Sequence, residues 1–145
     1  MDKTYVAKPG EVPQKWYLVD ATDKAVGRIA SRIAMILMGK HRPTYTPNTD
    51  TGEYVIVTNA DKVVFSGKKL DQKKYTWWTG YSGLRSETAR QRFERRPELI
   101  LTEAVRRMLP KNKLAKQMLA KLKVYKSGEQ HQHQPQQPEV LDLGK

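Results

Sequence analysis

The chain has 145 residues, no cysteine, and 27 Lys and Arg against 15 Asp and Glu, for a formal charge of +12 and a pI near 9.9. This length is enough for one buried core. The absence of cysteine excludes a disulfide framework, a thiolate nucleophile and a zinc–thiolate site, and the charge points to a polyanionic partner.

In chain order, residues 1–15 hold two prolines and a glycine without hydrophobic period and read as an N-terminal arm. WYLVDA (16–21) is a short apolar run that suits a buried strand. In ATDKAVGRIASRIAMILMGK, Val26, Ile29, Ala30, Ile33, Ala34 and Leu37 recur at the spacing of one helical face, with Arg28, Ser31 and Arg32 opposite. Gly39, followed by Pro43, ends that helix. HRPTYTPNTDTGE (41–53) is a loop by its turn residues, and YVIVTNA (54–60) is a β-branched run suited to a strand buried on both faces. Strand, helix, loop and strand in this compass make a βαβ unit and predict an α/β layered domain around a small parallel sheet. KVVFSG (62–67) offers a further short strand.

From Gly67 to Arg96 the apolar period fails and basic and aromatic residues take over. RRPELILTEAVRRMLP restores it: Pro97 and Glu98 suit a helix start, Ile100, Leu101, Ala104, Val105, Met108 and Leu109 form a stripe, and Pro110 closes it. Asn112 caps a further basic helix with Leu114, Met118 and Leu119 inward and Lys113, Lys116 and Lys121 outward. LKVYK (122–126) reads as the last strand of a domain spanning 16–126, and 127–145 as an extended polar tail.

The charge is concentrated. Residues 61–126 hold eighteen basic against six acidic residues, whereas residues 1–60 hold eight against six. GKKLDQKKYTWWTG (67–80) interleaves Lys68, Lys69, Lys73 and Lys74 with Tyr75, Trp77 and Trp78. Lysines neutralise phosphates and release counterions, and aromatic rings stack on exposed bases, so this segment suits RNA. Alternation along a strand puts one of the two tryptophans in the core. GKHRPTYTP (39–47) repeats the basic theme with Lys40, His41 and Arg42, which also lie where a helix C-terminus favours cations. Arg106 and Arg107 fit either phosphate contact or a solvated helix face.

Catalytic patterns are missing. MGKH and SGKKL lack the spacing of a phosphate loop, VDATDKAVGRIA has one glycine where a dinucleotide fingerprint needs three, and no serine sits in a nucleophile elbow. His131 and His133 have no companions at metal-ligand spacing and read as part of a solvated tail, while Asp20 and Asp23 read as turn or cap residues. Neither a catalytic site nor a cofactor or metal is expected. A free-standing RNA-binding regulator and a small α/β enzyme acting on nucleotides or RNA are the alternatives.

No apolar run reaches the roughly 20 residues of a membrane span. The opening MDKTYVAKPGEVPQKWYLVD lacks the apolar centre of a secretory signal. A soluble intracellular protein with no membrane partner is the expectation.

W-Y-L-V-D-A (16–21), G-R-I-A-S (27–31), G-K-H-R-P-T-Y-T-P (39–47), G-E-Y-V-I-V-T-N-A (52–60), Y-T-W-W-T-G-Y (75–81), A-V-R-R-M-L-P-K-N (104–112) and L-K-V-Y (122–125) follow one another in the order and spacing of a known family. Through them the chain resembles the bacterial-type family of protein thirteen of the large ribosomal subunit. The resemblance implies a three-layer α/β/α fold with a small, mostly parallel four-stranded sheet. It implies a non-enzymatic constituent of the large subunit that binds its ribosomal RNA, supports early assembly and abuts neighbouring ribosomal proteins. It extends to an interaction with the protein's own messenger RNA, and to a cytoplasmic ribosome or that of an organelle of bacterial descent. The segments it sets against RNA are Lys40–Arg42, Lys68–Tyr81 and Lys111–Lys123. Within them and beside them the candidates are Lys40, His41, Arg42, Lys68, Lys69, Lys73, Lys74, Tyr75, Trp78, Tyr81, Arg107, Lys111, Lys113, Lys116, Lys121 and Lys123. The chain departs from the family's usual pattern at Ser82, where the glycine pair after it is reduced to Gly83, at Arg107 and Ala115, which stand where glycine is usual, and at Gln132.

Overall fold

A computed structural model describes residues 3–128 and 131–144. Strand β1 (Trp16–Asp20) leads into helix α1 (Val26–Met38) and then β2 (Tyr54–Thr58). The six apolar positions predicted for one face of α1 are all buried, joined by Ile36 and Met38. Gly39 ends the helix with φ 79°, its N–H bonding the Ile36 carbonyl at 3.0 Å while the Lys40 N–H reaches Met35 at 3.0 Å. The left-handed turn is why glycine stands there.

A short 3-10 turn (Ala60–Lys62) and the one-turn helix α2 (Lys69–Gln72) precede an antiparallel hairpin of β3 (Lys74–Trp78) and β4 (Leu84–Thr88). Helices α3 (Ala89–Arg95), α4 (Glu98–Met108) and α5 (Lys113–Ala120) follow, then β5 (Leu122–Val124) and, after a second 3-10 turn (Gln134–Gln136), β6 (Glu139–Val140). Asn112 caps α5 as predicted, its Oδ1 accepting from the Ala115 N–H at 2.9 Å. Thr88 and Gln91 form a reciprocal capping box on α3.

The main sheet has the order β5-β2-β1-β6 with every pair parallel. On one face Val19, Val55, Val57 and Leu122 share a core with Ile33 and Leu37 of α1 and Leu101 and Val105 of α4. On the other, Trp16 stacks on Tyr54 with ring centroids 4.2 Å apart, and His133 lies over Trp16 at 5.0 Å. The segment around His133 therefore covers this second face, as the third layer of an α/β/α arrangement.

Four expectations differ from this architecture. Residues 62–67 do not add a strand: Val63 enters the core and the backbone bonds the 23–26 turn through Lys62 and a single Ala25–Val64 bridge, before Gly67, at φ 60°, turns the chain away. The fourth strand is instead Glu139–Val140, in the polar tail. An edge strand is held by main-chain bonds such as Leu141 N–H to Leu18 O (2.8 Å), so it needs no apolar pattern, and Val140 is exposed. His133, expected in solvent, packs on the sheet. The N-terminal segment is also tied down, since Ala7 is buried, its N–H donates to Thr46 Oγ1 and its carbonyl accepts from Thr49 Oγ1, both at 3.1 Å.

Asp20 closes the β1–α1 turn by accepting from the Thr22 N–H (3.0 Å), the Thr22 hydroxyl (2.7 Å) and Asn59 Nδ2 (2.9 Å). Burial pushes its carboxyl up, but these hydrogen bonds outweigh burial and hold it below the usual carboxylate range. The stability it supplies is thus complete above the ordinary carboxylate range and lost as pH falls through the lowered value. Asp20→Asn should flatten the fall in urea stability below about pH 4; an unchanged slope would remove Asp20 from the acid response.

Glycine matters most at position 52. A Cβ there would lie 1.7 Å from the Leu37 carbonyl oxygen, whereas one at Gly27 meets nothing within 4 Å. Gly52→Ala should cost about 3 kcal/mol of stability in urea unfolding, and Gly27→Ala should add about 0.5–1 kcal/mol by relieving a helical glycine. Equal effects at the two sites would contradict the packing.

Candidate nucleic-acid interface

The basic residues divide into two populations. The first surrounds the C-terminal end of α1. Lys40 is exposed, with its Nζ 5.9 Å from the Tyr45 ring centroid. His41 and Arg42 turn toward Glu53, which is fully buried. Arg42 Nη2 bonds Glu53 Oε1 and its Nη1 donates to the Pro13 carbonyl at 2.8 Å. His41 Nε2 lies 3.0 Å from Glu53 Oε2, a close polar contact without the alignment of a hydrogen bond.

Lys121, expected to point outward from α5, is buried and pairs with Asp50 Oδ1 at 2.5 Å. Burial pushes its ammonium group below the usual lysine range, against the opposing pull of Asp50 and, less strongly, Glu53. The cause of the reversal is the chain path. Lys121 follows the last turn of α5 and precedes β5, so its side chain is drawn under the 50–53 loop rather than along the helix's outer face. Lys123, half-buried on β5, sits opposite Ile56 in the parallel register.

The second population begins at the hairpin. Lys68, Lys69, Lys73 and Lys74 are exposed and make no ion pair among the described residues, although Lys73 Nζ lies 5.3 Å over the Tyr75 ring. Tyr75, expected against RNA, is only 6% exposed and lies beneath the Arg92 guanidinium, 4.0 Å from the ring centroid. Burial pushes its phenol up, against the pull of Arg92 and then Arg107. Across the ladder Tyr75 faces Glu87, which holds Arg92 at 3.1 Å and Arg95 at 2.9 Å. Tyr75 is therefore the anchor of the hairpin on α3.

Neither tryptophan is in the core. Trp77 is 41% exposed and Trp78 69%. Tyr75 takes the buried place that alternation assigned to one of them, because the hairpin leaves the body after its first residues and its tip has no second layer. Trp78 Nε1 donates to the Tyr81 carbonyl at 2.8 Å, and Tyr81 is 83% exposed.

Arg107, Lys111, Lys113 and Lys116 form the rest of the second population, all exposed. Arg106 and Arg107 share the single carboxylate of Glu103, at 2.7 and 3.3 Å. Hydrogen bonding from Arg106, then from Arg107, holds Glu103 below the usual carboxylate range despite burial. Two cavities meet at Arg107. One, of about 630 Å³, is lined by Arg28, Lys69 and Lys73 on its rim; the other, of about 580 Å³, by Lys111 and Lys116. Hairpin base, α4 and α5 thus present one continuous cationic face. Arg28 belongs to it and was read from the sequence only as the polar side of α1. No spacing rule links it to Lys69 or Lys73, which come close only through the tertiary fold.

Among the described residues there is no group of three or more His, Cys, Asp or Glu able to hold a metal ion, and no helix is long and apolar enough to cross a membrane. Residues 14–132 match the family model described as Ribosomal protein L13. The chain is 60% identical over 144 residues to the large ribosomal subunit protein uL13 of Thermotoga petrophila, covering 99% of this chain and 96% of that protein. The same figures hold for uL13 of Thermotoga maritima. Against uL13 of Caldanaerobacter subterraneus subsp. tengcongensis identity is 52% over 142 residues, covering 97% of this chain and 99% of the relative.

Arg42 and Lys40 are neighbours with opposite expected behaviour. Arg42→Ala leaves a buried carboxylate without its guanidinium and should cost about 3–5 kcal/mol. Lys40→Ala should stay within about 0.5 kcal/mol of wild type in the same urea titration. A neutral Arg42 variant would mean that Glu53 does not depend on this pair.

Proposed function

Because this chain belongs to the ribosomal protein L13 family, we propose that its cationic face of hairpin base, α4 and α5 is the surface that grips ribosomal RNA. The protein is a structural constituent of the large ribosomal subunit, part of the ribosome and not an enzyme. Its partners are ribosomal RNA and neighbouring ribosomal proteins.

The observation that carries the proposal is the separation of the two basic populations. Arg42 and Lys121 are paired with Glu53 and Asp50, so their charges are balanced within the body, and His41 also turns toward Glu53. Lys68, Lys69, Lys73, Lys74, Lys111, Lys113 and Lys116 have no acidic partner among the described residues, and Arg107 has half of one. Such a surface repels itself until a polyanion neutralises it. Trp78 and Tyr81 at the hairpin tip add exposed rings for stacking on unpaired bases. Lys40 lies just past the far end of α1, which runs about 15 Å from Arg28 to Met38, and gives a second, smaller point of contact. Tyr75 positions the hairpin without touching RNA, and Lys123 contributes to the potential from the sheet edge.

The mechanism has no chemical step. A rigid sheet-and-helix body carries charges at fixed separations, and RNA segments that neutralise them are held at those separations during subunit assembly. Contacts to phosphate carry little sequence information, so the protein's own messenger RNA is a second ligand of the same face. The ribosome in question is the cytoplasmic one.

Replacing Lys68, Lys69, Lys73 and Lys74 together by glutamine should reduce incorporation into reconstituted large subunits. It should also lower the slope of log affinity against log salt by about one unit for each lysine that meets a phosphate. A folded variant with the wild-type salt slope would remove the hairpin base from the RNA surface.

A further inference from the structure

The cavity between the end of α4 and the first turns of α5 has a composition that phosphate neutralisation alone does not require. Its volume of about 580 Å³ falls in the range of sites that enclose a small organic group. The floor is apolar, made by Leu109, which is buried, and by Ala115 and Leu119, one helical turn apart on α5. Around it stand Arg107, Lys111 and Lys116. Neither lysine has an acidic partner among the described residues, and Arg107 shares Glu103 with Arg106.

An anion alone would be served by the rim and would leave the apolar floor unused. An apolar protein side chain would use the floor but would cover unpaired cations, which is costly. A nucleotide satisfies both, with a flat base against the floor and its flanking phosphates among the cations. Ala115 matters here through its size. It stands between the lysine rim and Leu119 with a single methyl group, and a larger residue would take up the space a ring needs.

We infer that this cavity receives one unstacked nucleotide of the large-subunit ribosomal RNA, its base on Leu109, Ala115 and Leu119 and its phosphates against Arg107, Lys111 and Lys116. The inference rests on the RNA-binding reading above and sharpens it from a charged face to a shaped site.

Two variants of the full chain separate the two ideas, each assayed for affinity to large-subunit ribosomal RNA over a range of salt. Ala115→Trp fills the cavity and leaves the charge unchanged. It should weaken binding about tenfold, the loss of roughly one stacked base, with an unaltered salt slope. Lys111→Gln with Lys116→Gln should weaken binding and lower the slope by about two. If the tryptophan variant binds like wild type while the lysine pair weakens it, the nucleotide site is refuted and the RNA face stands. If neither changes binding, both readings fall.

Should the filled variant fail to fold, the site is tested without it by photo-leucine, a diazirine analogue of leucine with nearly the same shape, incorporated into the unsubstituted chain. In reconstituted subunits, irradiation should link Leu109 or Leu119 to the base of a single ribosomal nucleotide. A link to another ribosomal protein, or none at these positions, overturns the inference.

Discussion

A single buried carboxylate sets the order of this molecule. Glu53 is fully excluded from solvent, and an isolated ion in that position would cost several kcal/mol. It is tolerable because Arg42 and His41 face it and because Lys121, paired with Asp50, lies alongside. The knot sits where the chain must pass closest to itself. Glycine at 52 lets the loop run against the Leu37 carbonyl, and the Glu53 N–H joins Gly39 in bonding the Ile36 carbonyl at the end of α1. Glu53 immediately precedes β2 and Lys121 immediately precedes β5, which pair through Val55 and Leu122. The same ion contacts that neutralise the loop therefore fix where two adjacent strands begin.

That arrangement divides the protein electrostatically. At the C-terminal end of α1, Arg42 and Lys121 are matched by Glu53 and Asp50 and strengthen the body, while Lys40 stays exposed. Those of the hairpin base, α4 and α5 outnumber their partners and raise the energy of the free protein. Single salt bridges on that side, such as Arg90 with Asp71 at 2.6 Å, are well exposed and contribute little. Unmatched charge of this kind is stabilised by an external polyanion, so under the proposed RNA contact the part of the molecule that is least favourable alone is the part that gains most within the particle.

What could be read from the sequence was what depends on neighbours along the chain. The stripe of α1, the Gly39 terminator and the Asn112 cap are local, and each is where periodicity and capping rules put it. The parallel sheet followed from the strand–helix–strand order. The misreadings are all long-range. Lys121 looked like its helical neighbours Lys113 and Lys116, and only a partner 71 positions away turned it inward. Strand β6 is two residues in a polar segment, held by main-chain bonds that leave no trace in composition. The choice among Tyr75, Trp77 and Trp78 for the buried place depended on how far the hairpin stays in contact with α3, which alternation cannot tell. At the candidate site the cationic residues were legible as a group, but their separation into inward and outward sets was not, because it depends on where the acids lie in space.

The hairpin joins a well-anchored base to an exposed tip. Its base is held by Tyr75 under Arg92 and by Glu87 between Arg92 and Arg95, on a helix closed by a reciprocal capping box. Its tip, Thr79–Gly83, turns through Gly80 and Gly83, both at positive φ, and carries no charge of its own. The lysines proposed to meet phosphate therefore stand on the anchored half, where little conformational freedom is left to lose on binding. Trp78 and Tyr81 stand toward the free half, tied to each other by one indole-to-carbonyl bond. In the proposed contact, burying these two exposed rings against bases adds to the phosphate contacts made at the hairpin base. The anchored base fixes where the lysines stand, and the rings project beyond it.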